Sequence, residues 1–591
     1  MIALLDDRVP GTLDELLPRL ERETAPGASV EAWLFEGVTR RRAAERRLGK
    51  RGIAAVLRSA YKPLVHFFLE EVDAGTLRRV TVRYPVHERA HPKRFLLEAY
   101  PLAALLPGVE TAFVEGQDRG HYHVDFERRT GERDAVRVFA PNRVREDHLG
   151  APVLAPSGWL RITEPGTGDV RTDEPLVTEY ETIFRRALDA VRAYDWGTTE
   201  PYFDRLVISA EIPDVDRPLP FGEECLSTCE ALHEDLYFSV LEFFKHRAGR
   251  AVTDRTAQPG QVVPDIRQAA SAPLVRVTLD SPAGDGPVPG APAEPAPADG
   301  RRGRRIDEAD RPLELPEIMD ETAALEGGPI AARSRRGRPV LGVYRPGRHP
   351  AIVVTAGQHA NETTGVVGAL RAASRLAEDP DASFAVIPLE NPDGYALHRR
   401  LCAINPRHMH HAARYTALGD DLQSRSRAPW YEKAARIEAQ RLSGARLHIN
   451  LHGYPSHEWT RPLTGYLPRG FETWSIPKGF YVILRHHGEW AARVPALLDA
   501  LTARLAMIPG LAELNRAQLA AYEAHTGERP APILHGIPCQ ITEDDEAPFP
   551  LAIITEFPDE TIYGELFVLA HAVQMETVLA AAEIYRGLSP A

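Results

Sequence analysis

The chain has 591 residues, too many for one hydrophobic core, and at about 150 residues per domain it predicts two to four domains. The 43% hydrophobic and 26% charged content is typical of a globular protein, and the net charge of −13 argues against a nucleic-acid partner. Four cysteines exclude a disulfide framework, and no apolar run reaches the ~18 residues of a membrane helix. The acidic N-terminal segment does not predict a signal peptide, so we expect a cytoplasmic protein without a membrane partner. The oligomeric state stays open.

Residues 1–280 are predicted to form a mixed α/β accessory region whose fold the sequence does not identify. Alternating β-branched residues predict strands in RRVTVRYPV, HYHVDFE and DAVRVFA. Amphipathic spacing predicts helices in EYETIFRRALDAVRAYDW and CEALHEDLYFSVLEFFKHR. The region is interpreted as one unit, or as two units divided near residue 165.

A zinc-protease spelling lies in this region, because residues 87–91 read HERAH, a literal H-E-x-x-H. That chemistry needs a helix that places both histidines on one face. Pro85 and Pro92 flank the motif, and a residue before proline is pushed out of the α region, so His91 would lie at a broken helix end. Glu110 falls where a third ligand could lie. We interpret the spelling as a coincidence and keep an H-E-x-x-H metalloprotease as an alternative.

A Pro- and Gly-rich linker, residues 281–312, separates this region from residues 313–591. The C-terminal part alternates short apolar strands with helices, in AIVVTAG, TTGVVGALRAASRLAED, SFAVIPLEN, ARLHINLHGY, LAIITEF and the closing GELFVLAHAVQMETVLAAAEIYR. This alternation predicts an α/β domain with a mixed, mostly parallel sheet covered by helices on both faces.

Two strand ends of this domain carry potential metal ligands. His359 follows an apolar strand directly and Glu362 opens the next helix, so both lie at the carboxyl end of a strand, where open α/β sheets place their sites. His448 and His452 share one face of a later strand, but only His452 lies at its carboxyl end. Two imidazoles and one carboxylate are typical of a catalytic zinc with an open position. Glu556 ends a further apolar strand, where it could act as general base.

Four motifs in this order resemble the zinc carboxypeptidase family, also called funnelins: H-x-x-E at 359–362, NPDG at 391–394, His-Gly-Tyr at 452–454 and Thr-Glu at 555–556. The resemblance covers about residues 313–591. It implies a carboxypeptidase-like fold and one zinc ion per chain, with the metal and catalytic roles on His359, Glu362, His452 and Glu556.

The chain departs from the family where the substrate's terminal carboxylate is usually held. The family has an Asn-Arg pair in a D-L-N-R stretch, whereas this chain has GDDLQSR at 419–425, with Gln423 and Ser424 at those places. Serine cannot replace the bidentate contact of arginine. We therefore expect Arg425 or Arg414 to supply the clamp, or a substrate without a simple free C-terminus.

Two further roles follow from the resemblance. The arginine that stabilises the oxyanion falls among Arg399, Arg400 and Arg407, with Arg407 preferred. Tyr454 belongs to a turn similar to the family's His-Ser-Tyr turn and is taken as a substrate-binding residue.

The function predicted from these residues is zinc-dependent hydrolysis of a peptide or closely related amide, with a peptide or amino-acid amide as substrate. Three alternatives stay open. They are an amidohydrolase of the aspartoacylase or succinylglutamate-deacylase type, a zinc-free protein that binds peptide ends, and the H-E-x-x-H metalloprotease.

Overall fold

The computed structural model describes residues 2–213, 216–269, 272–280, 305–467 and 475–588. Most of the predicted linker at 281–312 therefore lies outside the described residues.

The N-terminal region contains sixteen strands and seven helices within the described residues. The strands are β1 (Ile2–Arg8), β2 (Ser29–Leu34), β3 (Ala54–Ser59), β4 (Leu77–Tyr84), β5 (Glu110–Glu115), β6 (His121–Arg128), β7 (Arg133–Phe139), β8 (Asn142–Glu146), β9 (Pro152–Pro156), β10 (Gly158–Thr163), β11 (Val170–Leu176), β12 (Arg205–Ile212), β13 (Arg217–Pro218), β14 (Cys225–Leu226), β15 (Gln261–Gln268) and β16 (Leu274–Asp280). The helices are α1 (Thr12–Glu23), α2 (Val38–Gly49), α3 (Pro63–Glu71), α4 (Arg94–Glu98), α5 (Leu102–Leu105), α6 (Glu179–Ala193) and α7 (Thr228–Arg247).

These strands form three four-stranded sheets, in the orders β1-β16-β12-β15, β11-β10-β2-β3 and β5-β4-β6-β7, together with two small hairpins. The strands predicted from RRVTVRYPV, HYHVDFE and DAVRVFA are confirmed as β4, β6 and β7, and the two predicted helices as α6 and α7. Residues on either side of 165 pair with one another in the β10–β11 hairpin. The division near 165 stays a prediction, but no change of sheet occurs there.

The C-terminal domain contains nine strands and seven helices in its described part. The strands are β17 (Gly328–Arg333), β18 (Pro339–Arg345), β19 (Ile352–Ala356), β20 (Phe384–Ile387), β21 (Leu447–Pro455), β22 (Tyr481–His486), β23 (Ile533–Leu534), β24 (Ile537–Glu543) and β25 (Leu551–Glu560). The helices are α8 (Leu315–Ala323), α9 (Thr364–Leu376), α10 (Pro392–Cys402), α11 (Lys433–Ser443), α12 (Val494–Leu505), α13 (Leu511–Thr526) and α14 (Glu565–Leu588).

One nine-stranded mixed sheet organises this domain, in the order β17-β18-β20-β19-β21-β25-β22-β24-β23. Strands β20, β19, β21 and β25 are parallel neighbours at its centre. Outside this block the pairings are antiparallel, except that β22 and β24 are parallel. The predicted mixed α/β sheet is confirmed, and its longest parallel part is this central block.

Helices cover both faces of the sheet, as predicted. Side chains of α9, α12 and α14 share a large apolar core with one face, whereas α11 packs on the other face beside β19 and β20. The α11 face is covered incompletely over β21, β25 and β22, and this uncovered part forms the floor of the cavity described below.

The N-terminal region and the C-terminal domain share a hydrophobic core. Side chains of α6, α7 and β12 pack with Leu397, Leu401, Tyr415 and Tyr466 of the C-terminal domain. The two parts therefore form a continuous packed interface.

The helix α14 is long and apolar enough, by length and composition alone, to cross a membrane. No membrane-spanning segment was predicted from the sequence. In this structure 56% of its most apolar window is buried, and Phe567, Val573 and Val578 belong to the core beneath the sheet. Such burial is what a core helix shows.

Candidate metal centre and its cavity

The predicted ligands come from two neighbouring parallel strands. The strand β19 ends at Ala356, and His359 and Glu362 lie in the short connection before α9 begins at Thr364. The strand β21 pairs with β19 in parallel and carries His452 near its carboxyl end. Because parallel strands end at one edge of a sheet, residues 90 positions apart in the chain meet there.

Three ligand atoms converge in this place. The Nδ1 atoms of His359 and His452 each lie 2.8 Å from an oxygen of Glu362, and they lie 3.2 Å from each other. All three side chains are buried. Among the described residues, no other group of histidines, cysteines and carboxylates has its ligand atoms close enough together to share a metal ion.

The donor set fits a zinc ion. Zinc binds imidazole nitrogen and carboxylate oxygen at about 2.0–2.2 Å, so ligand atoms about 3 Å apart can share one ion. The two Nδ1 atoms face each other at 3.2 Å beside the buried carboxylate of Glu362, an arrangement that one cation bound by all three groups would satisfy. The residues that would hold the metal are therefore His359, Glu362 and His452.

Surrounding groups fix the orientation of these ligands. The Nε2 atom of His359 lies 3.4 Å from Oδ2 of Asp421, and the backbone N–H of Gly453 donates to Glu362 Oε2 at 3.0 Å. Partners of this kind hold the ring and the carboxylate of metal ligands in place. Burial alone would raise the pKa of Asp421, but the charge and the hydrogen bond of His359 hold it well below its usual range.

Electrostatics keep Glu362 charged. Burial alone would raise its pKa, but His359 and Arg414 hold the pKa of Glu362 well below its usual range. Burial also lowers the pKa of His452 against the opposing charge of Glu362. Burial and Arg414 alone would lower the pKa of His359, but the carboxylates of Glu362 and Asp421 raise it. Metal binding requires a charged carboxylate and neutral imidazoles, so a bound cation would replace the proton that these carboxylates favour on His359.

The predicted general base lies beside the ligands. In the pairing of β21 with β25, Glu556 stands directly opposite His452, and its side chain lines the same cavity. Burial, with the charge of Glu362, raises the pKa of Glu556 well above its usual range, while Arg414 and Lys478 oppose this rise. A divalent cation at Glu362 would oppose it further.

The predicted oxyanion arginine, Arg407, is not part of this group. Its side chain is 64% exposed, lies 3.9 Å from Glu223 and does not line the cavity. Arg414 lines the cavity instead, with its Nη1 atom 2.8 Å from Glu362 Oε1 and 3.6 Å from Glu560. The structure thus corrects the placement: between Arg407 and Arg414, the arginine beside the ligands is Arg414.

The predicted clamp Arg425 is engaged elsewhere. Its guanidinium donates to both oxygens of Asp420 at 2.7 and 2.9 Å and to Glu432 at 2.9 Å, and its side chain is 1% exposed. It does not line the cavity, although Gln423 and Ser424 do. Two carboxylates already satisfy this guanidinium, so the geometry offers it no contact with a substrate.

Tyr454 lines the cavity, as expected for a substrate-binding residue. Its hydroxyl donates to the carbonyl of Gly479 at 2.7 Å and accepts from the backbone N–H of Lys478 at 2.9 Å. The backbone contacts therefore occupy the hydroxyl of Tyr454, and its aromatic ring is the part available to the cavity.

The cavity has a volume of about 600 Å³, and the N-terminal region supplies part of its wall. Tyr237 and Phe238 of α7 and Arg255 of the following loop line it beside the metal ligands. The ring of Phe238 stacks on Trp459 at 5.5 Å between centroids. These residues cannot be assigned to the site from the sequence, because nothing in the local pattern of α7 distinguishes a cavity wall from an ordinary buried face.

Buried ion pairs join the two parts of the chain around this wall. His457 Nε2 lies 2.8 and 2.9 Å from the two oxygens of Glu230 on α7, and Arg461 contacts Glu242 at 2.6 Å. Burial alone would lower the pKa of His457, but Glu230 raises it to about 9. The N-terminal region is thus held against the metal centre by charged contacts that need both partners.

The HERAH segment forms a turn, not a helix, and α4 begins only at Arg94. The Nδ1 atoms of His87 and His91 accept from the backbone N–H groups of Arg89 and Lys93, at 3.0 and 3.2 Å. The segment is not helical, as the flanking prolines predicted, and local backbone contacts occupy the Nδ1 atom of each ring.

Comparison with known proteins adds one decisive observation. Residues 311–437 match the zinc carboxypeptidase family. The match confirms the resemblance read from the motifs, for the segment that carries His359 and Glu362, and it supports a hydrolase. It ends before His452 and Glu556, whose assignment rests on the geometry above.

A search of curated proteins gave no match. Solved structures similar to this chain include carboxypeptidase A from Helicoverpa armigera, at 11% identity and a TM-score of 0.30 over 55% of this chain and 90% of that one. A metallo-carboxypeptidase from Pseudomonas aeruginosa, in complex with (2-guanidinoethylmercapto)succinic acid, has 14% identity and a TM-score of 0.29 over 54% and 74%. A metallo-carboxypeptidase from Burkholderia cenocepacia has 14% identity and a TM-score of 0.28 over 54% and 73%. These TM-scores are low, and the zinc carboxypeptidase match alone confirms the resemblance.

Proposed function

We propose that the zinc carboxypeptidase-like domain hydrolyses a peptide bond, or a closely related amide bond, with one zinc ion per chain. The observation that carries the proposal is the convergence of His359, Glu362 and His452 with Glu556 directly opposite His452 on the next strand. The substrate would be a peptide or an amino-acid amide. A cytoplasmic location stays a prediction.

The metal ligands, Glu556 and Arg414 have separate roles in this reaction. When bound at the three ligands, zinc supplies Lewis-acid chemistry, polarising a carbonyl and acidifying a water molecule. Glu556 takes the proton from the attacking water and delivers it to the leaving amine, a role that a carboxylate opposite His452 in the same cavity can perform. Arg414 stabilises the negative charge that develops on the carbonyl oxygen.

A second candidate is an amidohydrolase of the aspartoacylase or succinylglutamate-deacylase type. One observation favours it, namely that the expected clamp Arg425 is bonded to Asp420 and Glu432 and does not line the cavity. Small N-acyl amino acids, tested against blocked dipeptides, would separate the two hydrolases. A zinc-free peptide-binding protein would bind either compound and release it unchanged.

The test of the proposal is the Glu556→Gln variant of the zinc-loaded full chain. We expect kcat to fall by about 10²- to 10⁴-fold, because the variant keeps the shape of the side chain and loses its basicity. Zinc content should be unchanged. Kinetics on a panel of blocked dipeptides and N-acyl amino acids, with zinc measured by elemental mass spectrometry, check both points.

The matched control is Glu543→Gln, since Glu543 also lines the cavity but lies on β24, away from the ligands. It should keep kcat within about twofold. Full activity in the Glu556→Gln protein would overturn the proposed role of Glu556. Bound zinc without turnover of any compound would favour the peptide-binding protein.

A further inference from the structure

One loop of the N-terminal region is fastened to the C-terminal domain beside the metal ligands. The backbone N–H of Asp421 donates to the carbonyl of Arg255 at 3.0 Å, and the N–H of Gly260 donates to Leu418 at 2.9 Å. The amide of Gln258 also donates to Asp420, at 2.9 Å. These three contacts fix the position of the loop, and therefore of Arg255, relative to the metal centre.

Arg255 points into the cavity next to Asp421. Its Nη1 atom lies 3.5 Å from Oδ2 of Asp421, and the same oxygen lies 3.4 Å from Nε2 of the metal ligand His359. The side chain of Arg255 is 41% exposed and lines the cavity together with Gln423 and Ser424. The carboxylate of Asp421 thus lies between the guanidinium of Arg255 and the ligand His359, and the guanidinium is accessible from the cavity.

The charge of Asp421 is shared among several donors. Its Oδ1 atom accepts from the amide of Gln358 at 3.2 Å and from the backbone N–H of Gln423 at 3.0 Å, while His359 and Arg255 face its Oδ2 atom. Arg255 is therefore one of four groups around this carboxylate, and it lines the cavity together with Ser424.

The other arginines near this place are less suitable for binding an anion. Arg425 is buried between two carboxylates, and Arg414 lies against Glu362 and Glu560 with 19% of its side chain exposed. Ser424 stands where the resemblance places the clamp arginine, and a hydroxyl carries no charge.

We propose that Arg255 of the N-terminal region binds the carboxylate of the substrate, so that the N-terminal region completes the substrate site of the C-terminal domain. The inference rests on the proposed function for its substrate class. It also explains why the loop that carries Arg255 is fastened to the 416–421 segment by backbone contacts. The group recognised is a carboxylate within reach of the metal ligands, with the guanidinium as the charged donor.

The experiment compares a blocked dipeptide that has a free carboxylate with the C-terminal amide of the same dipeptide, on the zinc-loaded full chain. For Arg255→Ala we expect KM for the acid to rise by about 10- to 100-fold, the range for losing a hydrogen bond to a charged group. The kcat value should change less than about twofold, and KM for the amide should stay unchanged. Arg255→Lys should bind the acid more tightly than Arg255→Ala does and less tightly than the wild-type chain does. Lysine keeps the positive charge but lacks the paired N–H groups with which arginine binds both carboxylate oxygens.

Arg485→Ala is the matched control. Arg485 lines the same cavity from β22, and no hydrogen bond or ion pair joins its side chain to another residue in the described part of the chain. A selective loss of the acid in Arg485→Ala with none in Arg255→Ala would overturn the proposal, and so would equal losses of acid and amide in Arg255→Ala.

Calorimetric binding of the same pair of dipeptides separates this inference from the proposed function. If the wild-type chain turns over neither compound, the proposed hydrolysis fails, and the dissociation constants still decide the role of Arg255. A preference for the acid that disappears in Arg255→Ala supports the carboxylate contact. A preference that persists in this variant contradicts it.

Discussion

Two segments of this chain spell a zinc site, HERAH in the N-terminal region and the H-x-x-E with a later histidine in the C-terminal domain. The first keeps its residues within five positions, and the second spreads them over more than ninety. Only the second brings its side chains together. The comparison teaches that a metal motif is decided by the element that carries it, because ligand atoms must point to one place.

The physical difference lies in the backbone. Between Pro85 and Pro92 the HERAH chain forms turns, and both imidazole rings accept hydrogen bonds from backbone groups two positions further on. In the C-terminal domain, parallel strands end at one edge and deliver His359, Glu362 and His452 to it. Parallel strands therefore direct the three side chains of the C-terminal domain to one point. In the HERAH turn, His87 and His91 instead accept hydrogen bonds from the neighbouring backbone.

Two arginines test whether position in the chain or position in space decides the oxyanion role. Arg407 is the arginine predicted for this role from its place after the NPDG motif, whereas Arg414 is the arginine that lies beside Glu362. We expect Arg414→Ala to lower kcat by about 10²- to 10³-fold, the usual cost of removing one oxyanion donor. Arg407→Ala should change kcat by less than about twofold, because its side chain is mostly exposed.

Steady-state kinetics and zinc content of both variants check this prediction. The zinc measurement matters because Arg414 also touches a ligand, so a loss of metal would account for lost activity without an oxyanion role. Similar losses in the two variants, with zinc retained, would break the contrast.

A smaller expected effect is the pH dependence of stability that comes from the ion pair between His457 of the C-terminal domain and Glu230 of the N-terminal region. The pKa of His457 is raised to about 9 by Glu230, against about 6.5 in an unfolded chain, so the folded state favours the charged imidazole. The contribution of the pair to stability is therefore fully present below about pH 6.5 and is lost as the pH rises through about 9. A difference of this size corresponds to about 3 kcal/mol.

A double-mutant cycle measures that contribution. The proteins are wild type, His457→Gln, Glu230→Gln and the double variant, compared by thermal-unfolding midpoints at pH 6.5 and 9.5. We expect a stabilising coupling at pH 6.5 that is largely lost at pH 9.5. A coupling of equal size at both values would contradict the charged pair.

Much of the C-terminal domain could be predicted from the sequence. The short apolar runs that end in Gly, His or Glu predicted the strands β19, β21 and β25. A polar side chain directly after an apolar run indicates the end of a strand without any tertiary information. His359, Glu362, His452 and Glu556 could be predicted to lie together because each follows or ends such a strand. The strands β22 and β24, in the long interval between His452 and Glu556, were not assigned.

Other parts of the site depend on contacts that no local pattern records. Arg414 and Arg425 lie in an irregular stretch between α10 and α11, where periodicity gives no direction to a side chain. Asp421 was inside the GDDLQSR stretch but drew no attention, since an acidic residue in a polar loop usually faces solvent. Tyr237 and Arg255 reach the cavity only because the N-terminal region packs on the C-terminal domain.

The most direct measurement is the zinc content per chain, by elemental mass spectrometry, in wild type, His359→Ala/His452→Ala and His87→Ala/His91→Ala. We expect one zinc ion in wild type and in the His87→Ala/His91→Ala protein, and none in the His359→Ala/His452→Ala protein. Zinc that is lost only from the His87→Ala/His91→Ala protein would contradict the assignment and move the metal centre to HERAH.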